Sequence, residues 1–181
     1  MQLIAYGAKQ GTAIDAHLDT WESEFDAVSY SHGTPFRHAL QEGLIRDGEY
    51  VQIGIRGPLS GENDYAEAAA LGARTITIHE VMEKGIPQVL REVHQRMKGP
   101  LYVTVDIDSA DPAFAPGTGT PEVGGLSSYQ LLQLVGGLHG LNLIGFDLVE
   151  VSPPFDHGDI TAILAANIVF EYLSLLAIRN G

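Results

Sequence analysis

The chain contains no cysteine. That absence excludes a disulfide framework, a thiolate zinc site and a thiol nucleophile. Positive charge is scarce too: 10 Lys and Arg stand against 23 Asp and Glu, for a formal net charge of −13. A surface so short of cations cannot neutralise phosphates, which excludes nucleic acid as a partner. The opening residues, MQLIAYGAKQ, lack the basic start and long apolar run of an export signal. The most apolar span, Ile160 to Ile178, is interrupted by Asn167 and Glu171. An ionised Glu near a bilayer centre costs on the order of 3 kcal/mol, so the span reads as a core helix packed on both sides, not a membrane segment. No repeat, low-complexity tract or linker divides the 181 residues. They are expected to form one domain, 1–181, in a cytoplasmic protein, and 45% hydrophobic residues are ample for a core.

What is present alternates with some regularity. YVQIGI (50–55), RTITIH (74–79), LYVTVDI (101–107) and LNLIGFDLV (141–149) are short and rich in β-branched or aromatic residues, as buried strands should be. TAI before Asp15 is a weaker fifth. Helical signals lie between them: Thr34 as N-cap with Pro35 at the first helical position, Pro87 opening PQVLREVHQRM, and a Ser127/Gln130 capping box. A last helix is expected from about Asp159 to Ile178. Strands alternating with helices predict an α/β protein with a mainly parallel sheet, whose ligands bind beyond the carboxyl ends of the strands. The Pro/Gly-rich stretch 111–125 comes directly after one such strand and reads as a long ordered loop of functional use.

Three predicted strand ends carry acids. The first is Asp15-Ala-His17-Leu-Asp19, a D-x-H-x-D pattern that chance would supply about 0.03 times in this composition. Asp106-Ile-Asp108 and Asp147-Leu-Val-Glu150 carry little weight alone; about 0.7 D-x-D patterns arise by chance. On an extended strand Asp15 and Asp19 would lie about 13 Å apart, too far to share a cation. The chain is therefore expected to leave the strand after Asp15 and curl, turning His17 and Asp19 back. Asp15, Asp19, Asp106 and Asp108 crowded together would repel unless protonated or met by cations, and two divalent ions would balance them. Oxygen donors with imidazole suit manganese; zinc, cobalt and iron accept similar sets.

Each residue also has an ordinary structural use. Asp15 and Asp19 could shape a turn, His17 could be a satisfied polar contact, and Asp147 could accept from backbone amides. His79 reads as a cap or surface residue. His38 and His94 read as members of solvated helix faces.

IDAHLDT, SHGTPF, VDIDSADPAFAPGTGTPEVGG and DLVEVSPPFD, in this order and from about Gly11 to the C-terminus, resemble the ureohydrolase (arginase/agmatinase) family, its agmatinase and guanidino-acid hydrolase branch above all. The resemblance implies a three-layer α/β/α fold with a mainly parallel sheet. It implies hydrolysis of a guanidino compound, of agmatine type, to urea and an amine by a hydroxide bridging two Mn2+ ions, and assembly as a homo-oligomer, trimer or hexamer. Carried over by motif, Asp15 and Asp106 would bridge the metals, His17 and Asp108 would complete one, and Asp19 would bind the other. His32 in SHGT resembles the family's proton-shuttling histidine, and Glu150 in VEVSPP the carboxylate that holds the guanidinium. A metallophosphatase shares Asp/His ligands but leaves VEVSPP and the GTGTPE loop unexplained.

The same resemblance exposes one departure. Family members carry a GGDHS-like sequence ahead of D-x-H-x-D whose His is a further ligand, and it is absent here. An N-terminally truncated domain is expected, with one metal site short of a ligand. The alternative to a working enzyme is then a catalytically weak or inactive member that binds metal or a partner. Glu122 and the stretch from Glu22 to Tyr30, with the acids Glu22, Glu24 and Asp26, are candidates for reading the far end of the substrate.

Overall fold

The computed structural model describes residues 9–23 and 28–180. Five strands form one parallel sheet: β1 (Gln10–Ile14), β2 (Tyr50–Ile55), β3 (Ala73–Thr77), β4 (Leu101–Asp106) and β5 (Leu143–Val149). Their order is β3-β2-β1-β4-β5. Six helices connect or succeed them: α1 (Pro35–Gln41), α2 (Asp64–Ala70), α3 (Ile78–Lys84), α4 (Ile86–Arg96), α5 (Ser128–Gly136) and α6 (Ile160–Asn180). Successive strand residues face opposite ways, and β1, β2 and β3 supply residues to two cores. Ile14, Val51, Ile53, Val103 and Val105 pack with residues of α3 to α6. Ala13, Tyr50 and Ile55 pack with Phe36, Ala39 and Ala68 of α1 and α2. The result is a three-layer α/β/α arrangement.

Ile53 and Ile55 fall into different cores although they are two residues apart. The pairing of β2 with β3 shifts between them, at Gly54, whose φ is +103°. A bulge at a residue free to adopt positive φ reverses the facing of the residues beyond it, and here it re-aims the end of β2 toward the neighbouring strand end.

Several expected boundaries move. RTITIH does not stay extended to its end: Thr77 caps α3 by accepting from the Glu80 N–H, and His79 sits exposed within that helix. α2 and α3, both seven residues long, carried no periodicity long enough to read. Ser127 and Gln130 form the expected reciprocal capping box. Thr34 precedes α1 but does not cap it. Its Oγ1 accepts from the Ser31 N–H (3.0 Å) and lies 3.0 Å from the Ser29 carbonyl, so it closes the 29–34 turn instead. The last helix is also not packed on both sides. Leu164, Ile168, Tyr172 and Leu175 enter the core, whereas Ile163, Phe170 and Leu173 are exposed. By length and composition α6 is the one described helix that could cross a membrane.

The start of α6 is tied to the 111–125 loop. Asp156 accepts from the Thr161 and Ala162 N–H groups, each at 3.0 Å, and from that of His157 at 2.9 Å. Gly117 packs so closely here that a Cβ would lie 2.6 Å from that of Asp156. Partial burial opposes ionisation of Asp156, but the three amide donors outweigh it and hold its pKa at about 2. Because the folded value lies below the unfolded one, its contribution is present above about pH 4 and disappears as the pH falls toward 2. Asp156→Asn is therefore expected to lower the thermal midpoint at pH 7, with the difference narrowing in acid. Melting curves across pH 7 to 2.5 check this, and a constant difference would contradict it.

Candidate active site

The strand order reverses between β1 and β4, the point at which parallel sheets open a crevice at their carboxyl ends. Asp15 comes right after the last residue of β1, and Asp106 is the last residue of β4. Their registers align, Ile14 opposite Val105, so the two acids arrive side by side.

The chain leaves β1 as the spacing requires. Ala16 and His17 form a bend, and Asp19 has φ +51°. Neighbours hold the turn from several sides. The Arg56 and Gly57 N–H groups both donate to the Ala16 carbonyl at 2.8 Å, and the buried Gln52 amide donates to the Leu18 carbonyl. Gly57 admits the His17 ring: a Cβ there would stand 2.3 Å from His17 Cδ2. The SHGT turn is bound to the same segment, Trp21 N–H donating to the Gly33 carbonyl (3.0 Å) and Phe36 N–H to that of Asp19 (3.1 Å). His32 is thereby carried to the mouth of the crevice.

At the end of β4 a short 3-10 turn (Ile107–Ser109) points Asp108 back toward Asp15. Asp108 Oδ2 lies 3.0 Å from His17 Nδ1 and accepts from Thr120 Oγ1 at 3.1 Å. Its Oδ1 accepts from the Ala16 N–H at 3.2 Å. Asp15 Oδ1 accepts from the His17 N–H (2.8 Å) and Asp106 Oδ1 from the Asp108 N–H (3.0 Å). One donor atom each from Asp15, His17 and Asp108 lie within 4.8 Å of one another. Asp106 and Asp19 stand outside that trio.

The trio and its neighbours open into a cavity of about 810 Å³ whose walls include Asp19, Trp21, His32, Asp106, Glu122 and Glu150. Every residue singled out from the sequence as a catalytic residue or metal ligand, except the deeper Asp15, lines it. Two of the three described non-glycine residues with positive φ are Asp19 and Glu150 (φ +64°), and both are in the wall. Backbone held in a sparsely populated region costs about 1–3 kcal/mol and tends to persist where a side chain must point one way.

Burial and the Asp108 charge push the Asp15 carboxyl up to about 8. Burial, then Asp15 and Asp108, raise Asp106 well above the carboxylate range, and Asp19 adds to the effect. His17 is pulled down by burial but raised more by Asp108, Asp15 and Glu122. Buried carboxylates that hinder one another's ionisation, with an imidazole beside them, fit a divalent cation, which would relieve the repulsion. An all-oxygen-and-imidazole donor set suits manganese and related ions. Asp15, His17 and Asp108 could hold one ion, and Asp106 and Asp19 line the same cavity.

A model of the arginase family matches residues 11–174. The chain belongs to the arginase family. It is 52% identical over 164 residues to guanidinopropionase of Pseudomonas aeruginosa, covering 90% of this chain and 52% of that protein. Mitochondrial agmatinase of Gallus gallus is 45% identical over 164 residues, 90% of this chain and 48% of that one. Among solved structures, proclavaminate amidino hydrolase from Streptomyces clavuligerus superposes with a TM-score of 0.87 at 44% identity, covering 94% of this chain and 56% of that chain. The arginase-family chain described here thus spans about half the length of the relatives it matches.

Arg56 is the important residue that motif reading passed over. Nε donates to the Val123 carbonyl (3.1 Å), Nη1 to those of Gly54 and Ser109 (3.3 Å each), and Nη2 to those of Asp108 (2.8 Å), Ala110 (3.1 Å) and Glu122 (2.6 Å). One guanidinium therefore clamps the end of β2, the Asp108 turn and the Glu122 loop together. Its available signal was modest: a lone Arg after an apolar strand in a chain poor in basic residues. Asp111 closes the same loop at its base, accepting from the Ala113, Gly124 and Gly125 N–H groups.

The remaining candidates have other partners. Asp147 accepts from the Tyr102 hydroxyl (2.7 Å), not from backbone amides. His94 is not simply solvated: its Nε2 lies 2.8 Å from the Gly137 carbonyl beyond α5. His38 stacks on Tyr30, ring centroids 4.1 Å apart, with Nε2 2.6 Å from the Ser29 carbonyl. Of the acids considered for the substrate's far end, Glu122 lines the cavity, Glu22 is exposed, and Glu24 and Asp26 lie outside the described residues.

Proposed function

We propose that this cavity hydrolyses a guanidino compound of agmatine type, R–NH–C(NH2)2+ + H2O → R–NH3+ + urea, with divalent manganese. The observation that carries the proposal is the buried Asp15–His17–Asp108 trio opening into an acid-lined cavity in an arginase-family domain. Asp15, His17 and Asp108 would hold one ion, and Asp106 and Asp19, beside Asp15, would contribute to a second. When bound, the ions supply a nucleophilic water at neutral pH and stabilise charge developing in the transition state.

The rest falls to side chains. Glu150, which lines the cavity, pairs with the guanidinium and orients its carbon toward the metal-ligand side of the cavity. His32, exposed at the mouth, delivers the proton that the leaving nitrogen needs when the C–N bond breaks. Thr120 and Arg56 keep Asp108 and Glu122 in place. Of the five carboxylates in the described wall, Asp19, Asp106 and Asp108 are taken up by the metals and Glu150 by the guanidinium, which leaves Glu122 to attract a cationic tail, and the described wall holds neither Lys nor Arg to pair with a carboxylate tail.

With Mn2+ added, urea release is expected from agmatine in preference to 3-guanidinopropionate and 4-guanidinobutyrate. Glu150→Gln is expected to lower kcat/KM at least about 100-fold, because it leaves a guanidinium desolvated without its counter-charge. Colorimetric urea assays on the panel decide the matter. Metal-loaded protein that releases no urea from any of the three substrates would overturn the reading.

A further inference from the structure

Three consecutive residues at the turn after β1 are fastened one by one. The Phe36 N–H donates to the Asp19 carbonyl (3.1 Å), Arg37 Nε to that of Thr20 (2.7 Å), and the Trp21 N–H to that of Gly33 (3.0 Å). Arg37 in turn pairs with Glu67 of α2 at 2.8 Å. The Trp21 side chain is fastened as well. Its Nε1–H donates at 2.9 Å to Oδ2 of Asp64, the first residue of α2. Asp64 is only 7% exposed, and the same oxygen accepts from the Ser60 N–H at 2.7 Å and the Ser60 hydroxyl at 3.1 Å. The reaction proposed above makes no use of this buried carboxylate. Its work is to hold the indole.

Trp21 is the single tryptophan of the chain, and it lines the cavity half-buried. An indole has one polar atom, a donor. Here that atom is spent on Asp64, so what the ring offers the cavity is carbon. The bonds to Gly33 and Asp64 also tie in the segments that carry Pro35 and Pro58, two further apolar members of the wall. Trp21 follows Asp19 by two residues, a span of at most about 7 Å. An apolar part of the wall therefore begins close to the metal-ligand side.

In the hydrolase reading Glu150 takes the guanidinium and Glu122 attracts the opposite cationic end, which leaves the methylenes between them without a partner. We propose that Trp21, locked by Asp64, is the specificity-determining residue that receives them, so that the substrate's guanidinium is followed by several methylenes lying against the indole. The proposal rests on the hydrolase reading and adds to it the middle of the substrate. Each methylene removed from water strengthens binding roughly fourfold. A ring already held in place loses little further freedom when the chain settles on it. An ammonium end is attracted by an indole ring, whereas a carboxylate end is not.

Because the chain has one tryptophan, its emission reports on this residue alone. Titrating the Mn2+-loaded protein with 1,4-diaminobutane is expected to give a saturable blue shift, as methylenes replace water at the ring. Trp21→Ala is expected to raise KM for agmatine at least about tenfold with little change in kcat, and Trp21→Phe to recover most of the loss. Inhibition by methylguanidine, which has the head and no chain, should be equal in all three proteins. Asp64→Ala frees the ring and should also raise KM, whereas Asp64→Asn still presents one oxygen to the indole and Ser60 N–H groups and should restore it. An emission spectrum that the diamine leaves unmoved overturns the proposal. So does an unchanged KM in Trp21→Ala, or an equal loss for methylguanidine, which would reduce Trp21 to a support of the fold. Should no substrate release urea, the hydrolase reading fails, and the emission titration still decides the part played by Trp21.

Discussion

Replacing Asp108 by Asn is expected to weaken Mn2+ binding by more than about 100-fold, because changing mere supports of a ligand already costs about 10–100-fold. Asn keeps the size of the side chain and an oxygen for the Ala16 N–H, so the loop should hold its shape. What it loses is the charge and the donor that meets His17 and Asp15. Thermal shift separates the two effects. At a free metal concentration near 100 times its dissociation constant, the wild type gains about 2.7 kcal/mol, whereas a site weakened 100-fold gains roughly 0.4 kcal/mol. Without metal the variant should be at least as stable as the wild type, since one of the charges that hinder Asp15 is gone. An undiminished metal-induced shift in Asp108→Asn would remove this residue from the metal site.

Arg56→Met should have the second largest effect, and on two observables together. The guanidinium reaches six backbone carbonyls across three segments, and Met preserves the stem but none of those bonds. Some freed carbonyls would reach water, so the expected loss of stability is about 2–4 kcal/mol, not the full sum of hydrogen bonds. Asp108 and Glu122 then lose their common anchor, and metal affinity should fall about 10–100-fold. Arg56→Lys should restore little, because a single ammonium cannot span carbonyls that a planar fork reaches from both sides. Chemical denaturation and metal titration of the three proteins measure both quantities. Destabilisation with unaltered metal affinity would confine Arg56 to a structural role.

Much of the scaffold was legible from local signals. All five strands and the α1, α4, α5 and α6 segments emerge from apolar runs, Pro positions and the Ser127/Gln130 box. Where reading failed, a tertiary partner had overridden the local preference. Thr34 has the right residue type and place for a cap, yet its hydroxyl is taken by the turn that carries His32. The periodicity of α6 pointed to burial all round, and only the packing of β5 and α5 shows which side is covered. In the site, D-x-H-x-D stood out because the pattern is improbable, and strand geometry alone required a bend after Asp15. Arg56 did not stand out, because its partners are carbonyls that any residue possesses.

The sequence by itself determined the alternation of strands and helices, the acids that end β1 and β4, and the resemblance that the family match confirms. Only the tertiary structure decided that β1 and β4 are neighbours at the point where the strand order reverses, which sets Asp15 beside Asp106 across some 90 residues of chain. It also decided that β3 and β5 end the sheet formed by the described residues. The physical reason is that periodicity, capping and turn preferences act over a few residues and leave a trace in composition, whereas strand order and the convergence of charges depend on contacts between distant segments, which no single stretch of sequence records.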